Sequence, residues 1–529
     1  MLSQKFGPSH RIAVCERRPT IPPSPSDETA WNDIARFYLL GIGFRGQNAL
    51  KKFGLFDDFC QASVVVNGRR DWQPGMTRVE DGNITPARKD TKSRVLPRDK
   101  LVGLLHHHIV ENYAHSNIDL LYGYDLEPES FGDENVDVVT VRVSKCDEGS
   151  EKDRSSQFIP SQDSDPLCDV ESFQISQTKL LIAADGSART VANAIERHDA
   201  DRRSSLNPLV RPFAPKPFKV TRYVDDNPRV YKSVPICLPS DWPCDLNYSA
   251  RQSRINLEAL PSDDKGNLCA LLLMKPEEEF AQPNVDPDKL RAYFDEELPQ
   301  FGALISDIEM ALLAKKPASA LPAFRFAGPR LNCEKRTLVL GDAAHTVKPY
   351  YGLGANSALE DVQILSDALD DAAVVADGDN DKSKIDAVVP TAVQLFSDRR
   401  AADSEALVMM SRNMDRPGKL FLFSFLLPLI LDGIFHKLAP KVFGPNMFAM
   451  FQKQGIGFRQ IQKKKRLDRA LQLVCLGTLL TSAGLSIKAF VRVLAMVTGR
   501  SQGFISLVMA TVAAMGIFFT KQTATKAST

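Results

Sequence analysis

At 529 residues and 58.5 kDa the chain is about three or four times the usual single-domain size, which excludes a peptide, a lone binding module or a one-core protein. Its 66 basic and 65 acidic side chains leave a net charge of +1, so no global field favours nucleic acid, and 43% apolar residues allow a large core. Nine cysteines without a CxxC pair argue against a disulfide framework or zinc ribbon and for a reducing compartment.

In chain order, residues 1–10 carry no apolar run of signal-peptide length. Residues 11–16 (RIAVCE) predict a buried strand, stopped by Arg17, Arg18 and a proline-rich loop through Pro25. Residues 49–59 have mixed helical spacing. In 98–113 the apolar positions Leu101, Leu104, Leu105, Ile109 and Val110 form one helical stripe. The adjacent His106, His107 and His108 point in different directions around that helix and do not predict a metal site. Residues 144–172, rich in Asp, Glu and Ser, read as an exposed acidic insertion.

Residues 179–184 (KLLIAA) predict a strand ending at Asp185-Gly186, and 219–275 predict the antiparallel strands of a second layer. A strand over 336–340 runs into Gly341-Asp342, a helix is expected over 357–372, and a second acidic loop over 377–384. Apolar residues concentrate after about position 419. The run 420–434 contains Pro428 and Asp432 and predicts a core or membrane-surface helix. Residues 471–487 and 503–520 are 17 and 18 residues without a charge, at the short end for a membrane span, with Lys488 and Arg492 between them. The basic cluster KKKR at 463–466, with Arg459 and Arg469, predicts membrane contact with the body on the cytosolic side. Two spans, one span and an in-plane hairpin all remain open.

The strongest chemical signal is TLVLGDAAH over 337–345, followed by Pro349, GLGAN over 352–356 and Glu360-Asp361. A strand ending in Gly-Asp offers the Asp342 carboxylate at its carboxyl edge, where a ribose or ribityl hydroxyl can be bound. Gly352 and Gly354 permit close backbone approach, and a helix beginning near Asn356 would aim free N–H groups and its positive dipole end at an anionic ring edge or phosphate. His345 is a weak acid–base candidate, more often structural in such a motif.

These segments resemble the single-component FAD-dependent aromatic hydroxylases: the Gly-Asp motif at Gly341-Asp342, the Asp-Gly motif at Asp185-Gly186, and Glu16 at the end of the strand whose acid binds the adenosine ribose. Within that family RFYLLGIGFRG (36–46), RDKL (98–101), YYG (350–352) and FRQIQKKKRLDR (458–469) are similar to the kynurenine 3-monooxygenase group, over residues 11 to about 490. The resemblance implies an α/β architecture: an FAD-binding Rossmann-like domain of the glutathione-reductase type, a β-sheet substrate layer and a C-terminal helical, membrane-associated tail. Residues 1–418 would hold the interleaved FAD and substrate domains, the substrate layer mainly at 60–97 and 205–325. Residues 419–470 would be helical and 471–520 membrane-associated.

The resemblance further implies FAD contacts at Glu16, Arg18, Arg36, Arg98, Leu126, Asp185, Gly186, Thr190, Gly341, Asp342, Pro349, Gly352, Gly354, Ala355 and Asn356. It places substrate contacts at Arg69, Arg412 and Phe448, with no metal. NADPH or NADH would be the co-substrate, a small aromatic compound and O2 the reactants, and a lipid membrane the partner, at the mitochondrial outer membrane.

Four departures accompany it. The family's opening strand and GxGxxG loop have no counterpart ahead of Glu16; the literal GIGFRG at 41–46 comes too late, so either a preceding piece is missing, the favoured expectation, or FAD binding is impaired. Arg189 and Ala192 replace a serine and an arginine in the Asp-Gly segment, which makes nicotinamide handling less certain. No tyrosine lies between Ser63 and Lys100. Arg412 and Phe448 stand where the group has an asparagine and a tyrosine. The competing expectations are therefore a kynurenine 3-monooxygenase-like enzyme, a hydroxylase or epoxidase of another aromatic or isoprenoid compound, and a membrane-bound homologue without FAD.

Overall fold

The computed structural model describes residues 1–7, 10–27, 38–87, 92–113, 117–132, 138–146, 172–376, 384–453 and 455–507. Arg36, most of the acidic insertion, the second acidic loop except Lys384, and most of the apolar run 503–520 lie outside them.

Two compact units are present. The first comprises Met1–Phe425 and Phe448–Ile461. Its nucleotide-type half is built on short parallel pairs: Ile12–Glu16 beside Ile118–Tyr122, and Leu181–Ala183 beside Thr337–Val339. Parallel pairs need helical crossovers, and the helices Arg98–Tyr113 and Thr190–Ser205 occupy that role in sequence. The long helices Leu353–Ala376 and Lys384–Asn413 complete this half. Its core joins Leu338, Val339, Leu181 and Ile195 to Leu365, Val389 and Phe396 of those helices.

The expected second layer over 219–275 is a seven-stranded sheet. Its order is Ser319–Ala320, Val230–Cys237, Asn267–Met274, Asn256–Pro261, Leu246–Arg251, Gly68–Trp72 and Asn83–Pro86. All pairs are antiparallel except Leu246–Arg251 with Gly68–Trp72. Strand alternation sends Trp72, Tyr248 and Leu257 into an apolar core closed by Phe294 and Phe301 of the helices behind the sheet. The opposite face carries Arg69, Ser249 and Glu258. Lys219–Arg222 is not part of this layer; it pairs with Arg325–Gly328, which also pairs with His345–Thr346.

One expectation is corrected here and another narrowed. The strand at 11–16 is not buried: Val14 is 43% exposed, because Ile12–Glu16 has a partner strand on one edge only among the described residues. Of the two alternatives for the run 420–434, the core helix is excluded and the membrane-surface helix kept, since the helical stretch Gly418–Leu438 is only 11% buried along its apolar window. The three histidines diverge as predicted: His106 meets the Tyr122 hydroxyl at 2.7 Å, His107 pairs with Glu111 at 2.9 Å and His108 with Asn112 at 3.2 Å.

The second unit comprises Leu426–Met447 and Gln462–Thr529. Residues 471–487 fall within one continuous helix, Phe458–Thr498, whose apolar window is 6% buried. Leu473, Leu480, Leu485 and Val493 of that helix are more than half exposed. At its base Lys465 and Arg469 pair with Asp432 at 3.1 and 2.7 Å, and Lys465 also pairs with Asp468 at 3.2 Å.

Candidate active site

The Thr337–Val339 strand ends at Leu340, and Gly341 turns the chain with φ of 62°, a conformation that costs glycine little. Beneath this turn lies the buried carboxylate of Asp361. It accepts the Gly341 N–H at 2.7 Å, pairs with His345 Nε2 at 2.8 Å and takes Arg400 Nε at 2.5 Å. Arg400 continues to Glu360 at 3.0 Å and Asp403 at 2.8 Å. Burial alone would raise the Asp361 pKa, but Arg400 and then His345 outweigh it and hold the group at about 2. His345 is itself fully buried, so its place is in the support of the turn.

Asp342, next along the turn, accepts no side-chain hydrogen bond from the described residues. Its carboxylate is open to water from a hollow but walled by protein, and this desolvation raises its pKa, with His345 and Arg189 opposing. The hollow also senses Tyr38, whose hydroxyl is influenced by Asp342 and Arg98 and whose ring meets Tyr231 of the large sheet at 6.3 Å. On another side, a Cβ built on Gly354 would stand 3.7 Å from Asp342 Oδ1, so the start of the Leu353–Ala376 helix faces the carboxylate. Gly352, at φ of 61°, makes the turn into that helix.

The Asp-Gly segment is brought to the same place by Arg189. This residue sits in the left-handed region with φ of 57°, is 1% exposed, and caps the Thr190–Ser205 helix. Its guanidinium donates to the Ala343 carbonyl at 3.1 Å, and also to the Asp342 carbonyl and the Thr346 hydroxyl. With no carboxylate in direct contact among the described residues, burial and the nearby Arg325 lower its pKa to about 10. Asp185 accepts the Val191 N–H at 3.2 Å through one oxygen, and its other oxygen is buried without a hydrogen-bond partner among the described residues.

Glu16, Arg18 and Arg98 also converge. Glu16 accepts the Arg18 N–H at 2.9 Å, while buried Asp99 holds Arg98 at 2.9 Å and Arg18 at 3.5 Å. The Arg98 N–H donates to the Tyr38 carbonyl at 2.8 Å, linking this group to the Asp342 hollow. Asn356 stitches the glycine turn to the chain's early segments: its Oδ1 accepts N–H groups of Gly43 and Gly46 at 2.8 and 3.2 Å, and its Nδ2 donates to the carbonyls of Gly41 and Gly352 at 2.9 and 2.6 Å. Pro349 opens the short turn before Gly352, and Ala355 packs partly into the Ile42–Leu104 cluster. Leu126 packs against the first core.

Of the residues expected at the substrate, Arg69 lies on the polar face of the large sheet, paired with Asp71 and with both oxygens of Glu258 at 3.2 and 3.3 Å. Tyr351 is influenced by Arg251, Glu258 and Arg69, and its ring packs on Phe448 at 4.9 Å. Arg412 is engaged differently: it pairs with Asp226 at 3.2 Å and lies over Tyr223 at 4.9 Å, with no described contact to Arg69. Sequence reasoning missed Asp99, Arg400, Glu258 and buried Lys348, which bridges Asp225 and Asp415 at 2.8 and 2.7 Å. Asp99 lay inside the RDKL segment without being singled out, and Arg400, Glu258 and Lys348 carried no motif; their roles are defined by partners distant in sequence.

Residues 286–392, which contain the Gly-Asp turn and the whole Leu353–Ala376 helix, match the family described as FAD binding domain. The chain is similar to FAD-dependent aromatic hydroxylases. Within that group it is similar to kynurenine 3-monooxygenases: 33% identical over 156 residues to that of Emericella nidulans, covering 29% of this chain and 30% of the relative. With that of Mycosarcoma maydis it is 25% identical over 218 residues, 41% of this chain and 33% of the relative. The Salinispora arenicola enzyme is 25% identical over 363 residues, 68% of this chain and 67% of the relative. The chain thus spans about a third of the length of the first two. Among solved structures the chain is similar to 2-methyl-3-hydroxypyridine-5-carboxylic acid oxygenase, with a TM-score of 0.46 and 14% identity, over 78% of this chain and 89% of that one.

Proposed function

We propose that the chain is an FAD-dependent monooxygenase that hydroxylates a small aromatic substrate, with L-kynurenine the first candidate and 3-hydroxy-L-kynurenine its product. The balanced reaction takes an aromatic C–H, O2, NADPH and a proton to C–OH, water and NADP+. FAD, when bound, supplies the redox chemistry that activates O2. The observation that carries the reading is Asp342: a carboxylate open to water yet partly desolvated by protein, accepting no side-chain hydrogen bond from the described residues, beside Gly354 at the start of a 24-residue helix.

The residues fit the group at that end. Asp342 would accept ribityl hydroxyl hydrogens, and the free N–H groups at the start of the Leu353–Ala376 helix would stabilise negative charge at the ring edge. Arg189 and Asp361 hold the turn from two sides, and Glu16 with Arg18 and Arg98 suits the adenosine end. The aromatic wall of Tyr351, Phe448 and Phe425 would keep water from the ring being hydroxylated. The two exposed apolar helical stretches support attachment to a membrane, with the basic 463–466 segment on the cytosolic side; the mitochondrial outer membrane is the first place to look.

The test is to purify the full chain and record its visible absorbance after incubation with FAD, then follow NADPH oxidation with L-kynurenine and weigh the product. The reading expects bound flavin, stimulated oxidation and a product heavier by one oxygen. A chain that stays colourless with excess FAD would overturn the enzyme; bound flavin without stimulation would overturn kynurenine as substrate.

A further inference from the structure

The polar face of the large sheet carries a neutralised charge cluster that an aromatic hydroxylase does not need for flavin binding. Three neighbouring strands build it in register. Asn247, Ser249 and Ala250 of Leu246–Arg251 pair with Arg69, Asp71 and Trp72 on one side, and Ser249 pairs with Glu258 on the other. Alternation therefore points Arg69, Asp71, Ser249, Arg251 and Glu258 to one face. Arg69 is held by Asp71 and Glu258, and Glu258 also accepts the Ser249 hydroxyl at 3.0 Å. Like Asp342, Glu258 is reachable by water yet walled by protein, and desolvation raises its pKa, with Arg69 next in influence. Tyr351, from the turn that leads into the flavin-facing helix, is influenced by Arg251, Glu258 and Arg69, so this cluster belongs to the space between sheet and turn.

The consequence is electrostatic. A guanidinium already paired with two carboxylates is a poor receptor for a lone anion, because a carboxylate drawn to Arg69 displaces Glu258 and leaves it unpaired in a walled site. A cationic amine has the reverse fault, since it takes Glu258 from Arg69. A zwitterion exchanges one internal ion pair for two, carboxylate to Arg69 and ammonium to Glu258, and strands nothing. Resting on the function proposed above, we infer that Glu258 is a specificity-determining residue: it receives the ammonium of an α-amino-acid substrate and makes the pocket reject aromatic carboxylates that lack one.

The experiment measures binding to the FAD-reconstituted full chain by flavin difference spectra and by thermal shift, for two ligand series. One has the 2-aminobenzoyl ring of kynurenine and the other a plain phenyl ring; each includes the α-amino acid and its desamino acid. The unmodified chain should bind the amino acid at least tenfold tighter than the desamino acid within a series. Glu258→Gln should shrink that ratio at least fivefold, mainly by tighter binding of the desamino acid. Glu258→Asp, which keeps the charge, should retain most of the preference, and thermal melts establish that each variant is folded. A ratio within twofold of the unmodified chain in folded Glu258→Gln overturns the assignment, as does failure of both amino acids to bind. If only the phenyl series binds and shows the Glu258 dependence, the kynurenine reading fails while the role of Glu258 stands.

Discussion

Replacing Asp361 with asparagine tests whether the Gly341-Asp342 turn is held from beneath. The carboxylate receives Gly341, His345 and Arg400 within 2.8 Å. Removing one partner of a buried ion pair costs about 3–5 kcal/mol, and the lower end applies because Arg400 keeps Glu360 and Asp403. Unfolding entropy of about 2.1 cal/mol/K per residue gives roughly 0.9 kcal/mol/K for the first unit, so its Tm should fall by about 3–4 °C. The effect should also depend on pH. The folded Asp361 carboxyl titrates near 2, below an unfolded value of about 3.9. A depressed carboxyl contributes stability above its unfolded pKa and loses it as pH falls through the folded one, here roughly 2–3 kcal/mol. Melts followed by near-ultraviolet circular dichroism at pH 7, 5 and 3 should therefore show the gap between parent and Asp361→Asn narrowing toward pH 3. A variant that melts within 1 °C of the parent at pH 7, or a gap undiminished at pH 3, would refute the reasoning.

Asp342→Ala should weaken FAD at least tenfold, the loss of a charge-assisted hydrogen bond worth about 1.5–3 kcal/mol, in a fluorescence titration of the folded apoprotein. Arg189→Met should release the Asp342 and Ala343 carbonyls from their buried donor and lower both the Tm and FAD affinity, with Arg189→Lys intermediate because a point charge cannot span the same acceptors; equal FAD affinity in all three would show that the clamp is idle. Leu480→Lys, at a position 75% exposed, should leave the melting of the first unit unchanged while reducing co-sedimentation with liposomes, and unchanged sedimentation would count against lipid contact there.

The Gly-Asp turn was legible because strand, glycine and acid lie within a few consecutive residues, and the turn needs nothing else to declare itself. Arg189 was legible only as a departure from a pattern. Its role depends on a positive-φ backbone that swings the side chain under a carbonyl 153 residues away, and linear sequence carries no trace of that meeting. Glu258 was hidden for a related reason: in an alternating strand one acid reads as a solvated face, and only the register with Ser249 and the reach of Arg69 reveal a charge cluster. The strand at 11–16 was placed correctly but given too much burial, because its apolar residues say that it is extended and not how many neighbours it has. Arg412 was expected at the substrate, and its pairing with Asp226 depends on a partner 186 residues away that the sequence does not announce.

The hydrogen bonds of Asn356 constrain when the site can exist. They join it to Gly43 and Gly46 across 313 and 310 residues, and Arg45 reaches the Ile456 carbonyl across 411. During synthesis, at about 5–20 residues per second, the early segments wait for tens of seconds before the helix that completes them leaves the ribosome. Under the proposed function, flavin capture at this end would be a late event of biogenesis, because chains released before residue 360 lack most of the helix that completes the turn.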